Sequence, residues 1–99
     1  MKIFDDSTLT LEVAGSTFAA LGSEQRLHVL RTLVRAGPIG LPIGILGDRC
    51  GVTGSTLTHH VKILKQAGMV TQTKQGRSII WAAVAYDQIE TLSQFLMTE

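Results

Sequence analysis

A mainly α-helical domain carrying one small β-hairpin is the fold class this sequence predicts, and three observations predict it. Apolar residues recur at helical spacing in several separate segments. The clearest is VTGSTLTHHVKILKQAG at residues 52–68, where Leu57, Val61 and Leu64 fall at i, i+4 and i+7. Glycine and proline divide the segments, as in GPIGLPIG at residues 37–44. Beyond Gly68 the pattern switches to two runs rich in Thr, Val and Ile on either side of Gln75-Gly76.

The elements follow in order. Residues 1–6 read as a loose end. Ser7 or Thr8 caps a first helix running to about residue 21, with Leu9, Val13, Phe18 and Leu21 as its apolar side. Gly15 weakens that helix by about 1 kcal/mol relative to alanine. Ser23 caps a second helix, and Glu24 is favourable in its first turn. Leu27, Leu30, Leu33 and Val34 form its buried stripe, Arg26, Arg31 and Arg35 lie toward solvent, and Gly37-Pro38 ends it. Leu41 is placed as an edge contact to a sheet, and Pro42 suits the first turn of a short third helix at about residues 43–50. Ile43, Leu46 and Cys50 face inward from it, and Gly51 breaks it.

Thr53 stands where the fourth helix needs an N-cap, and Gly68 where it should stop. Two helices across a tight glycine-containing turn make a helix-turn-helix, about residues 43–68. Residues 70–74 and 78–84 are the strands of a hairpin, a wing over about residues 70–84 with Lys74 and Arg77 at its tip. A basic hairpin in that place can touch the minor groove or flanking phosphates of DNA. Trp81 is assigned to the core, on the back of the fourth helix. A last helix at about residues 86–97 carries Ile89, Leu92 and Leu96 at i, i+3 and i+7, with Phe95 beside them. Residues 1–99 thus form a single winged helix-turn-helix domain.

Composition agrees. The chain of 99 residues fits one domain, and 44% hydrophobic residues suffice for a core whose apolar content is mostly aliphatic. A single cysteine excludes an internal disulfide, no run approaches a membrane span, and no signal-peptide pattern is present. These features predict a reduced, cytoplasmic setting. The net charge of +1 conceals a division: Arg49, Lys62, Lys65, Lys74 and Arg77 fall in a stretch without a single acid, whereas acids outnumber bases elsewhere. A phosphate backbone would be drawn to that stretch.

The fourth helix has a second side. Ser55, Thr58, His59 and Lys62 fall at i, i+3, i+4 and i+7. Short hydroxyls, an imidazole and an ammonium without an acid are what a helix lying in the major groove presents. A winged helix used only to bind protein, the alternative function, does not require five positive charges without an acid.

FAALGSEQRLHVLRTL (residues 18–33), GVTGSTLTHHVKILKQAGMV (residues 51–70) and KQGRSIIW (residues 74–81) resemble the ArsR/SmtB family of bacterial winged-helix repressors, over about residues 13–94. The resemblance implies a homodimer on an inverted-repeat operator in double-stranded DNA, released by an inducer that is often a metal ion. It implies DNA contacts from Ser55, Thr56, Thr58, His59 and Lys62, joined by Lys74 and Arg77 of the wing. Ser55 and Thr56 lie in the first turn, where free N–H groups and the helix dipole favour phosphate. Thr58 and His59 read bases or phosphates, and Lys62 meets phosphate. His60 points to the helix flank as a packing or backbone-bonding residue. Gly54 departs from the family, which often has a longer polar residue there.

The first and last helices each carry an apolar side, and a compact winged helix cannot cover both. Leu9, Val13, Ile89, Leu92, Phe95 and Leu96 are therefore the expected dimer contacts. Pairing them about a two-fold axis sets two recognition helices one DNA turn apart, roughly 34 Å. The plainer reading is that both helices close the monomer core.

The family's best-known metal sites are missing. A Cys-x-Cys pair at the start of the third helix is replaced by about Pro42 and Gly44. The last helix, YDQIETLSQFLM, has no histidine, and Asp87 and Glu90 alone are poor zinc ligands. No metal or cofactor is expected. Cys50 stands where relatives usually have leucine and reads as a small core residue. A thiol switch, favoured if Arg49 lowers the pKa of an exposed thiol, is the other reading of it. His28, His59 and His60 have no ligand spacing, and no nucleophile–base–orienter set appears, so an enzyme is not expected.

Overall fold

The computed structural model describes residues 9–98. In order they form α1 (Leu11–Ala20), α2 (Glu24–Ala36), β1 (Leu41–Pro42), α3 (Ile43–Cys50), α4 (Gly54–Gln66), β2 (Val70–Gln75), β3 (Ser78–Ala83) and α5 (Ala85–Met97). The expectations for residues 1–6 and for Ser7 or Thr8 fall outside the described residues. The cap of α1 is Thr10, whose hydroxyl accepts from the Val13 N–H at 3.1 Å.

The core gathers α2, α3, α4 and the sheet. Val29, Leu33, Leu46, Val61, Leu64 and Met69 have no exposed surface. On α4 the buried apolar residues are Leu57, Val61 and Leu64, as their spacing requires. On α3, Leu46 and Cys50 are buried and Ile43 packs against the core from a half-buried position. Pro42 occupies the N-cap of α3, one residue before the position expected for it.

Two helices are rotated from their expected phase. In α1 the buried face is Ala14, Thr17 and Ala20, while Val13 and Phe18 point outward and Leu9 and Leu21 are only half-buried. Small residues at i, i+3 and i+6 let that face seat on the core, and the Thr17 hydroxyl is satisfied by the Val13 carbonyl at 2.9 Å. In α2 the buried residues are Val29, Leu30 and Leu33, and both Leu27 and Val34 are exposed. Five aliphatic residues, Leu27, Val29, Leu30, Leu33 and Val34, span about 160° of α2, wider than the buried face, so its sequence alone does not single out which of them turn inward. Arg26, expected in solvent, is half-buried, and its Nη1 donates to the Ala20 carbonyl at 3.1 Å.

The sheet is antiparallel, in the order β1-β3-β2. Leu41 pairs with Trp81 and Pro42 with Ile80, so the edge contact extends over both residues of β1. Val70 pairs with Ala83 and Gln75 with Ser78, which leaves Gly76 and Arg77 as the hairpin loop. The turn thus falls one residue beyond Gln75-Gly76. Trp81 is buried, but β3 packs on α2 and α3, and the strand lying against α4 is β2.

The link from α4 to β2 is a Schellman motif. The Met69 N–H reaches the Leu64 carbonyl at 2.9 Å and the Gly68 N–H the Lys65 carbonyl at 3.0 Å, with Gly68 at φ +77°. Met69 is fully buried, so the turn that ends α4 also anchors the start of the hairpin. Among the described residues no helix is long and apolar enough to cross a membrane.

Candidate nucleic-acid interface

The exposed side of α4 and the hairpin tip define the site. Thr53 occupies the N-cap in extended backbone, φ −132° and ψ 171°, yet its side chain makes no capping hydrogen bond. The first N–H groups of an α-helix have no intrahelical acceptor, so this end presents unpaired donors and the positive end of the helix dipole. The first turn of α4 contains no acid. Gly54 begins the helix at φ +65°, in the left-handed region, with open space where a Cβ would stand. A backbone requirement thus explains a glycine where the resemblance leads one to expect a longer polar residue.

Ser55, Thr56, His59 and Lys62 are exposed along this surface, and Thr58 is half-buried among them. The Thr58 hydroxyl donates to the Gly54 carbonyl at 3.3 Å, which leaves its lone pairs as the free function. Lys74 and Arg77 are exposed, Lys74 paired with Ile79 near the end of β2 and Arg77 in the loop. All residues from Thr71 to Ile79 are exposed, so the hairpin projects from the body with both faces free.

Two contacts at this surface carried no local sequence signal. Lys65 Nζ donates to Gln72 Oε1 at 2.9 Å, which braces the hairpin against the last turn of α4. His60 is buried, and its Nε2 lies 2.7 Å from Gln25 Oε1 on α2. The expected flank position holds, but the partner is a side chain rather than backbone. Burial pushes the His60 pKa below the ordinary imidazole value, and the Arg26 and His59 charges push it the same way.

The expected dimer contacts divide. Val13, Ile89 and Leu96 are exposed, whereas Leu9 and Phe95 are half-buried and pack against the core. Leu92 is 2% exposed and belongs to the monomer core, on the same side of α5 as buried Gln88 and Thr91. Leu11, Phe18, Tyr86 and Met97 are also exposed on these two helices. Cys50 is buried, with Sγ 4.0 Å from the carbonyls of Gly47 and Val52. No group of three or more His, Cys, Asp or Glu side chains able to hold a metal ion occurs among the described residues.

Comparison with known proteins follows the same outline. A helix-turn-helix domain family matches residues 21–73. The HTH-type transcriptional regulator YceK of Bacillus subtilis (strain 168) is 33% identical over 78 residues, covering 79% of this chain and 72% of YceK. The HTH-type transcriptional regulator NmtR of Mycobacterium tuberculosis is 36% identical over 77 residues, covering 78% of this chain and 61% of NmtR. An ArsR-like transcriptional regulator from Rhodococcus sp. RHA1 superposes with a TM-score of 0.73 at 28% identity, over 87% of this chain and 78% of that one. The homodimeric winged helix-turn-helix DNA-binding domain Mb0332 of Mycobacterium bovis shares the fold, with a TM-score of 0.71 at 17% identity over 88% of this chain and 78% of that one.

Proposed function

This chain belongs to the helix-turn-helix family of ArsR-type transcriptional regulators, and from that premise we propose that it is a repressor that binds an inverted-repeat operator as a homodimer. The observation that carries the proposal is the acid-free outer surface of α4, whose N-terminus has no side-chain cap. Such a surface is complementary to phosphate at one end and to base edges along its length.

In this reading Ser55 and Thr56 meet phosphate or base edges at the start of α4. Thr58 and His59 read bases one turn further on, and Lys62 meets phosphate. Lys74 and Arg77 reach the flanking backbone or minor groove. Dimerisation is supported by the apolar residues that α1 and α5 leave exposed, Leu11, Val13 and Phe18 on one helix and Tyr86, Ile89, Leu96 and Met97 on the other. A two-fold axis lets such residues meet their own copies across one interface. Repression would follow from occlusion of a promoter. Release would follow from any effector that binds better to a form whose two recognition helices no longer match the operator spacing. The place proposed for such a regulator is the cytoplasm, where its DNA lies.

Selection from a randomised duplex pool at near-physiological salt tests this. Enrichment of an inverted repeat is the expected result. Weak, salt-sensitive binding without any enriched sequence would refute the sequence-specific reading and favour a module that binds protein.

A further inference from the structure

His60 lies on α4 between exposed His59 and buried Val61, and is itself only 7% exposed. Its Nε2 stands 2.7 Å from Oε1 of Gln25, in the first turn of α2. An amide oxygen only accepts, so Nε2 carries the ring proton and Nδ1 is a bare acceptor. Among the described residues that Nδ1 is buried without a partner, and so is Nε of Arg26 on α2. A second proton on the ring would place a buried N–H where nothing accepts it. The charges acting on the ring are Arg26 from α2 and His59 on α4 itself, and both oppose protonation. The other elements packed on α4, α3 and β2, add no charge to it among the described residues.

The bond crosses between the two helices at mid-length of α4, where it resists rotation of α4 about its own axis. A helix is about 5–6 Å in radius with its side chains, so a rotation of about 10° moves a surface side chain by about 1 Å. That displacement is enough to spoil the geometry of a base-edge hydrogen bond but is tolerated by a contact to phosphate. We propose that the Gln25–His60 hydrogen bond is a positioning contact that sets the rotation of α4 on α2 and so decides which base edges Ser55, Thr58 and His59 reach. The proposal rests on the reading of α4 as the recognition helix. His60 itself touches no DNA, and it holds α4 in register as the neutral imidazole.

The test compares wild type with Gln25→Leu and Gln25→Glu, substitutions at an exposed α2 position outside the core. Fluorescence anisotropy gives affinities for a pool-selected duplex and for a random duplex of equal length, and imidazole nitrogen spectra give the His60 tautomer. Loss of one hydrogen bond predicts that Gln25→Leu lowers the selected-to-random affinity ratio about fivefold, with random-duplex affinity held within about twofold. Wild type should lose part of the ratio as the pH falls below the ordinary imidazole pKa of 6.5 and through the lowered His60 value, whereas Gln25→Glu, whose carboxylate offsets the added ring charge, should keep more of it. An Nδ1–H tautomer, or a Gln25→Leu variant with an unchanged ratio, overturns the proposal. A wild-type chain that binds neither duplex removes the DNA reading, and with it this consequence, even where the spectra show the Nε2–H bond intact.

Discussion

Leu96 and Leu92 lie four residues apart on α5 and are indistinguishable by composition, yet their replacement should have opposite consequences. Leu96 is 68% exposed in the single chain and Leu92 is 2% exposed. Full burial of a leucine is worth about 2 kcal/mol, so about two thirds of that, or about 1.3 kcal/mol, is left for a partner to realise at Leu96. Alanine retains the Cβ, which reduces the loss in Leu96→Ala to about 1 kcal/mol per copy. A two-fold interface contains the residue twice, so the dimer loses about 2 kcal/mol and its dissociation constant rises about 30-fold. The folded monomer should be nearly unaffected. Leu92→Ala, by contrast, opens a cavity inside each chain and should cost about 2–5 kcal/mol of folding stability. Sedimentation equilibrium over a concentration series reads the first effect, and urea unfolding at a fixed low concentration reads the second. A monomeric wild type at tens of micromolar, or a Leu96→Ala dimer as tight as wild type, would refute the assignment of this surface to a second copy.

Other outcomes follow from the same geometry. Lys62→Ala and Arg77→Ala should weaken binding to every duplex and reduce the slope of log affinity against log salt by about 1 each, while Thr58→Ala or His59→Ala should cost about 1–3 kcal/mol on the selected duplex alone. Equal losses on selected and random DNA for all four would contradict that division of roles. Gly54→Ala forces a side chain into φ +65° and should lower stability by about 1–2 kcal/mol in thermal or urea unfolding, and an unchanged midpoint would show that α4 starts elsewhere. His60 binds a proton less readily folded than unfolded, so its contribution is complete above the ordinary imidazole pKa of 6.5 and is lost as the pH falls through the lower folded value. Urea midpoints should therefore drop on acidification below that value in wild type and drop less in His60→Gln; identical profiles would exclude His60 as the cause. Buried Cys50 should react with an alkylating reagent only as fast as the chain unfolds, and prompt labelling of the native protein would revive the thiol-switch reading.

Much of this molecule was legible because its strongest patterns are local. Leu57, Val61 and Leu64 fix the phase of α4, since Ile63 is the one other apolar residue among them and it lies at the edge of the same face. The same phase brings Ser55, His59 and Lys62 to the surface, so the candidate interface could be read residue by residue. Gly76 between two strand-like runs marks the hairpin. The failures share a cause. α1 and α2 carry more aliphatic residues than one face can hold, and packing then selects Ala14, Thr17 and Ala20 in one and Val29, Leu30 and Leu33 in the other. The burial of Leu92 depends on how α5 returns to the body, which no local spacing encodes. Side-chain bonds between elements are less visible still. Gln25 and His60 are 35 residues apart and Lys65 and Gln72 only seven, yet each pair meets only once its helices and strands are in place.

Amide chemical-shift mapping with a duplex enriched from the random pool tests most directly which surface meets DNA. Perturbations should gather on α4 from Gly54 to Lys62 and at Gly76 and Arg77 of the hairpin, with the α1 and α5 surface unaffected by DNA. Perturbations concentrated on α1 and α5, or none on α4 at saturating duplex, would contradict the reading of α4 as the recognition helix.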